Sequence, residues 1–187
     1  MHITGLSRID TVTVPDKFMA VIHLSEDGKE ADTDQIRTTL ETDKESLDYL
    51  GVDSDSDPLS SHDTYKRIKS VKPRGMKVLI VTDGRDPSIL DDLVGAGYVH
   101  AANILIGKSL TDEQKDCIEI LKDNGCKFAI TLNAKEHDAD SVKAVGDQCK
   151  GCSMIVLRQD RKDPLKKSEM SSLVSAAKGC TWNVKTN

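Results

Sequence analysis

The sequence is poor in aromatic residues, in long apolar runs, in blocks of positive charge and, over its first half, in cysteine. Each shortage closes a class of function. One Trp, three Tyr and two Phe make up 3% of the chain, which leaves few platforms on which nucleic-acid bases can stack. The 26 Lys and Arg are outnumbered by 31 Asp and Glu, for a net charge of -5, and no basic block is present to follow a phosphate backbone. Both features speak against a nucleic-acid partner. No apolar run approaches the roughly 18 residues of a membrane span, and the N-terminal MHITGLSRID lacks the apolar stretch of a secretory signal. The chain therefore reads as cytoplasmic, with no membrane partner. Its five cysteines are odd in number and all lie beyond residue 116, which does not suit the disulfide framework of a secreted protein.

What is present is ordinary for a globular domain: 187 residues, 37% hydrophobic and 30% charged, enough to bury one sizeable core over residues 1–187. Short apolar runs recur along the chain. After an opening segment, His2–Val14, with Ile9, Val12 and Val14 alternating, come Phe18–Leu24, Tyr49–Asp53, Lys77–Val81, Val99–Ile106, Lys127–Leu132, Met154–Leu157 and Thr181–Lys185. Their length and their content of Val, Ile and Leu predict strands buried on both faces of a parallel sheet. Between them lie amphipathic stretches of helical spacing. Asp34–Leu47 carries Ile36, Leu40 and Leu47, and Thr111–Asn124 carries Cys117, Ile118 and Leu121. Thr111 before Asp112 and Glu113 predicts an N-cap, and Asn124-Gly125 a left-handed C-cap. Asp86-Pro87 and Asp163-Pro164 predict helix openings, the second for Leu165–Lys178. Alternating strands and helices with right-handed crossovers imply a single α/β domain: a parallel sheet with outer helices, either open and doubly wound or curled into a partial (β/α) TIM-like barrel. The polar, acidic segments Ser25–Thr33 and Ser54–Asp63 each follow a strand, at the sheet edge where ligands bind in such folds.

Several local motifs resolve into plainer readings. Asp53-x-Asp55-x-Asp57 alternates carboxylates like a calcium loop, yet the sixth position holds Pro58 instead of Gly and the twelfth Thr64 instead of Glu. It reads as a solvated acidic turn capping the next helix. Ile106-Gly107-Lys108-Ser109 lacks the first glycine of a phosphate loop, which is Ala102, and Gly95-Ala96-Gly97 reads as a helix stop. Cys149-Lys150-Gly151-Cys152 is the one paired thiol motif, placed where a helix ends and a strand begins. His23, inside a strand, reads as a packed or edge residue, and spacing alone assembles no Ser–His–Asp set. Lys66, Arg67, Lys69 and Lys72 form a basic patch on a helix from Thr64 to Lys72, fit to meet an acidic surface or simply water.

Taken in order, the motifs resemble the radical S-adenosylmethionine activating enzymes, of the anaerobic ribonucleotide reductase and pyruvate formate-lyase activase type. Gly5-Leu6-Ser7-Arg8-Ile9-Asp10-Thr11-Val12, then Pro15-Asp16-Lys17 and the strand Phe18–Leu24, is similar to that family's opening. Asp55-Ser56-Asp57-Pro58-Leu59 falls where the family has Gly-Gly-Glu/Asp-Pro-Leu, and Val81-Thr82-Asp83-Gly84-Arg85-Asp86-Pro87 where it has Thr-Asn-Gly. Leu90–Val99 and Leu157-Arg158-Gln159 resemble its later helix and strand. The resemblance implies a partial barrel and a ligand site at Asp55, Ser56, Asp57, Thr82, Asp83 and Gly84.

The departures decide the functional expectation. The family's loop after the first barrel strand carries three cysteines for a four-iron cluster; here it is Ser25-Glu26-Asp27-Gly28-Lys29-Glu30-Ala31-Asp32-Thr33, and the first cysteine of the chain is Cys117. Without three thiolates there is no open iron to chelate S-adenosylmethionine and no route for the cleaving electron. Asp55 and Ser56 replace two glycines, adding charge and bulk where a backbone must approach a ligand. The sequence thus predicts no iron–sulfur cluster and no cofactor. It predicts a catalytically inactive, radical-SAM-like chain that binds or regulates a protein partner, with an anaerobic enzyme or its activation as the setting. The alternative is a metal-dependent or thiol-redox enzyme at the same sheet edge. Its acids would be Asp27, Asp53, Asp55 and Asp57 with His62, the metal set being Asp53, Asp55 and Asp57, and its redox pair Cys149 and Cys152.

Overall fold

The computed structural model describes residues 1–10 and 17–186, the side chains of residues 8–10 excepted. Thr11, Val12, Val14, Pro15 and Asp16, which carried part of the opening-segment reading, lie outside the described residues. In chain order the elements are β1 (His2–Asp10), β2 (Met19–Ser25), α1 (Thr33–Asp43), β3 (Tyr49–Ser54), α2 (Thr64–Val71), β4 (Val78–Thr82), α3 (Pro87–Gly95), β5 (Ala101–Ile106), α4 (Asp112–Asp123), β6 (Lys127–Asn133), α5 (Ala139–Gln148), β7 (Met154–Arg158), α6 (Lys167–Lys178) and β8 (Val184–Thr186). Single 3-10 turns lie at Lys44–Ser46, Pro58–Ser60 and Ala134–Glu136.

The eight strands among the described residues form one sheet in which spatial order equals chain order, β1 to β8. A doubly wound sheet reverses its strand order at a switch point; this sheet never does. The curled alternative is therefore the correct one, and because β1 and β8 do not pair among the described residues, the barrel is partial. One expectation needs correction. The sheet is parallel only from β2 to β8, since β1 runs antiparallel to β2. A short connection between β1 and β2 leaves no length for the crossover a parallel pair requires.

Strand alternation gives the sheet two apolar faces. Ile22, Leu50, Ile80, Ile104, Ile130 and Ile155 face outward and pack with Leu40, Ile68, Leu90, Ile118, Val142 and Leu173 from the six helices. Met19, Val21, Leu79, Val81, Ala101, Ala129, Met154 and Val156 form a separate, smaller cluster on the inner face. Glycine lets the inner face close: a Cβ on Gly51 would sit 2.8 Å from Val21 Cγ2.

Helix boundaries follow their caps. Asp32, Asp86, Thr111 and Asp138 accept bonds from first-turn amides, Thr111 and Asp138 in full capping boxes, and Gly125 adopts the left-handed conformation expected after α4. The first helix ends at Asp43 and tightens into a 3-10 turn before reaching Leu47. The last helix opens at Lys167 rather than at Asp163-Pro164, because Glu169 reaches back to the Lys166 amide at 2.9 Å and sets the start there. The expected strand at Thr181–Lys185 is the shorter β8, Val184–Thr186. Among the described residues no helix is long and apolar enough to cross a membrane.

Candidate functional site

In a parallel barrel the ligand-facing rim lies at the carboxyl ends of the strands. Here the rim over β3 and β4 is organised around one acid. Asp57 follows β3 with φ of 101°, the one non-glycine residue in the left-handed region among those described. Its carboxylate is buried and accepts from the Leu59 amide at 2.6 Å, from the Thr82 hydroxyl at 2.8 Å and from the Asp83 amide. The Thr82 hydroxyl in turn accepts from the Gly84 amide at 2.9 Å. Gln114, reaching up from α4, donates to the Asp83 and Leu105 carbonyls at 2.8 and 3.0 Å. The structure thus brings together Asp57, Thr82, Asp83 and Gly84, residues 25 positions apart in the chain.

The electrostatics of this knot follow from burial. Desolvation, and then the hydrogen bond to the Asp83 side chain, push the Asp57 carboxyl up to about 6 against the bonds from Asp83, Leu59 and Thr82 that hold it down. Asp83 Oδ1 is buried without a partner, which a proton shared with Asp57 would satisfy, and Asp83 Oδ2 accepts from Arg85 at 2.6 Å. The expected solvated turn is therefore corrected: Asp55 is exposed, Ser56 half-buried with an unpaired hydroxyl, and Asp57 is buried and fully engaged.

A second grouping was not legible in the sequence. Ser7 of β1, His23 of β2 and Asp53 of β3 stand side by side on the inner face, with Ser7 Oγ 2.7 Å from His23 Nε2 and His23 Nδ1 3.9 Å from Asp53 Oδ2. His23 pairs with Asp53 across the parallel ladder and with Gly5 across the antiparallel one. The one available signal was that His23 and Asp53 are each the fifth residue of their strands, which parallel register places adjacent.

The remaining candidates separate. Asp53 turns to His23 and Asp57 to Thr82, and among the described residues no group of three or more His, Cys, Asp or Glu is arranged to hold a metal. Cys149 and Cys152 are buried free thiols at the end of α5 and before β7, with burial pushing Cys149 up to about 12 and Cys152 upward. Cys117, under the Gly84 carbonyl, is likewise pushed up to about 12. Asp27 and His62 are exposed. On α2, Lys66 pairs with Asp63 at 2.7 Å and Arg67 donates to the Met1 carbonyl at 2.9 Å, leaving Lys69 on the exposed face. A cavity of about 320 Å³ opens at the opposite end of the barrel, lined by Tyr49, Leu79, Lys127, Met154 and the 89% exposed Trp182.

These features define an open, singly wound α/β partial barrel with its polar groups gathered at the strands' carboxyl rim. Similarity in structure places the fold more closely. SuiB of Streptococcus suis bound to its precursor peptide SuiA superposes with a TM-score of 0.64 at 13% identity, over 87% of this chain and 43% of SuiB. SuiB bound to S-adenosylmethionine gives 0.63 at 12% identity, over 99% of this chain and 48% of SuiB. A mutant tryptophan synthase α-subunit from Pyrococcus furiosus gives 0.56 at 13% identity over 97% of this chain and 79% of that one. Deoxyribose phosphate aldolase from Aeropyrum pernix gives 0.54 at 15% over 88% and 74%. The fold is radical-SAM-like and TIM-barrel-like, and the chain spans less than half the length of SuiB. No family model and no curated protein sequence matches the chain.

Proposed function

We propose that this chain is a radical-SAM-like partial barrel that no longer carries out radical chemistry and serves as a binding or regulatory subunit for a protein partner, in the cytoplasm, in the setting of an anaerobic enzyme or its activation. The observation that carries the reading is the segment after β2. It runs from the end of the first parallel strand along the rim, as Ser25-Glu26-Asp27-Gly28-Lys29-Glu30-Ala31-Asp32, and holds carboxylates where three cluster thiolates would have to converge. The cysteines of the chain lie elsewhere, at α4, around α5 and β7, and after α6. A second feature supports it: the acid at the position of the cofactor-binding motif, Asp57, spends its lone pairs on Leu59, Thr82 and Asp83 and so has a structural occupation.

Anaerobic reconstitution of the purified chain with ferrous iron and sulfide tests the proposal. The protein is expected to stay colourless and to release no 5′-deoxyadenosine from S-adenosylmethionine under reducing conditions. A stable cluster absorbance accompanied by cleavage would overturn the reading.

A further inference from the structure

We propose that Ser7, His23 and Asp53 form an acyl-transfer relay on the inner face of β1, β2 and β3, acting on small esters with a neutral or cationic group. The inference does not depend on the reading above: its three reacting groups lie outside the cofactor motif and the loop after β2, whose acids enter only through their charge.

The geometry assigns the roles. Ser7 Oγ lies 2.7 Å from His23 Nε2, within reach for a general base to take the hydroxyl proton. For Nε2 to accept that proton, the neutral ring must carry its own hydrogen on Nδ1. The Asp53 carboxylate stands on the Nδ1 side at 3.9 Å, outside hydrogen-bond distance but close enough for its charge to stabilise the imidazolium once the proton arrives. Asp53 is itself held, with Oδ1 accepting from the Ser54 amide at 2.8 Å. Rigid strands position all three: β2 pairs His23 directly with Asp53, and β1 brings Ser7 opposite Val21, two residues from His23 and on the same face.

Access is also built in. The residue opposite His23 on the edge strand is Gly5, and a Cβ placed there would meet nothing within 4 Å. No side chain crowds the edge strand opposite His23, and the His23 and Asp53 side chains are 42% and 46% exposed. Glu26, Asp27 and Asp55 lie just beyond the ends of β2 and β3, so the local field favours a neutral or cationic substrate over an anionic one.

The reaction balances without any further reagent but water. Ser7 Oγ forms a bond to the ester carbonyl carbon while its proton passes to His23 Nε2. The tetrahedral adduct expels the alcohol, which leaves with that proton, and Ser7 is left acylated. Water then adds to the acyl carbon, His23 takes its proton, and the acid departs as the Ser7 hydroxyl is restored.

The test uses the full chain and a fluorophosphonate probe, whose phosphorus is attacked by an activated serine oxygen with loss of fluoride. Intact mass and peptide mapping should find one adduct, on Ser7, and Ser7→Ala should abolish it. His23→Ala should slow labelling by about a hundredfold, with recovery in added imidazole, and Asp53→Asn should slow it several-fold while Asp53→Glu restores part of the rate. Circular dichroism checks that each variant is folded. No adduct on Ser7 in the folded wild-type chain would overturn the proposal. So would labelling of Ser7 at an unchanged rate in folded His23→Ala, or equal labelling across the exposed serines.

Discussion

Asp57 is the residue at which the physics of the rim concentrates. A carboxylate taken out of water favours its protonated form, and three donors to it are not enough to reverse that, so its carboxyl stands at about 6 rather than near 3.8. The sign of the consequence is fixed by linkage. The folded chain holds this proton more tightly than the unfolded chain, so its contribution to stability is full below about 4 and is lost as pH rises through about 6. Between about pH 7.5 and pH 4.5 that amounts to about 2 kcal/mol in favour of the folded state. Asp57→Asn cannot titrate; it keeps one acceptor, Oδ1 for the Leu59 amide, and puts a donor nitrogen where Oδ2 accepts from the Asp83 amide, so it is less stable than wild type. Thermal melts across that pH range should show wild type gaining stability relative to Asp57→Asn as pH falls; a difference that is constant with pH would remove Asp57 as the titrating group. At this scale the sequence was only partly readable. Asp57, Thr82 and Asp83 were found as fragments of two motifs, but spacing does not say that one carboxylate ties both loops together. Ser7 and His23 were unreadable as a pair for a similar reason. Only the register of β1 on β2 sets them 2.7 Å apart.

At the scale of elements, strands β2 to β7 were legible because each is buried on its outer face and reads as an apolar run. Lys127–Leu132 and Met154–Leu157 were each one residue short of the observed β6 and β7, as expected where a polar Asn133 or Arg158 closes the strand. Helix α5 was placed only by its end before Cys149–Cys152 and given no range: its buried side is only Val142, Val145 and Gly146, too narrow a stripe to stand out. That glycine is where α5 and α6 come together. A Cβ on Gly146 would lie 2.5 Å from Cys180 Sγ and 2.7 Å from its Cβ, and a Cβ cannot swing aside as a side-chain tip can. Alanine in a helix gains up to about 1 kcal/mol over glycine, while overpacking costs about 1–3 kcal/mol, so the clash decides the sign. Gly146→Ala should lower the melting temperature by about 3–6 °C. Gly95→Ala, at a helical glycine with nothing within 4 Å, is the control and should be neutral or stabilising. Equal effects at the two sites would show that helix propensity, not the α5–α6 approach, governs.

For the whole molecule, composition and periodicity reached the class of fold and stopped at its curvature, because residues such as Leu79 and Val81 are buried in a flat sheet and in a curled one alike. The distinguishing fact is the order of strands, and it has a consequence for how stability is distributed. A closed barrel has no edges; this one has two among the described residues, β1 and β8. They are unequal. The antiparallel β1 is nine residues long and pairs with β2 over most of its length, whereas β8 has three residues, all at least partly exposed, paired with β7 at three positions. The centre is different again: every residue of β4 is buried, and β5 and β6 lie between paired neighbours on both sides and helices on the outer face. Opening of the central strands must disrupt the single large core and so approaches global unfolding, while β8 can detach at the cost of a few hydrogen bonds. Hydrogen–deuterium exchange should therefore grade outward from β4, β5 and β6, which exchange slowest, through β1 to β8, which exchanges fastest among the strands. Protection of β8 equal to that of β5 would contradict an open barrel, since only a partner strand across that edge supplies it.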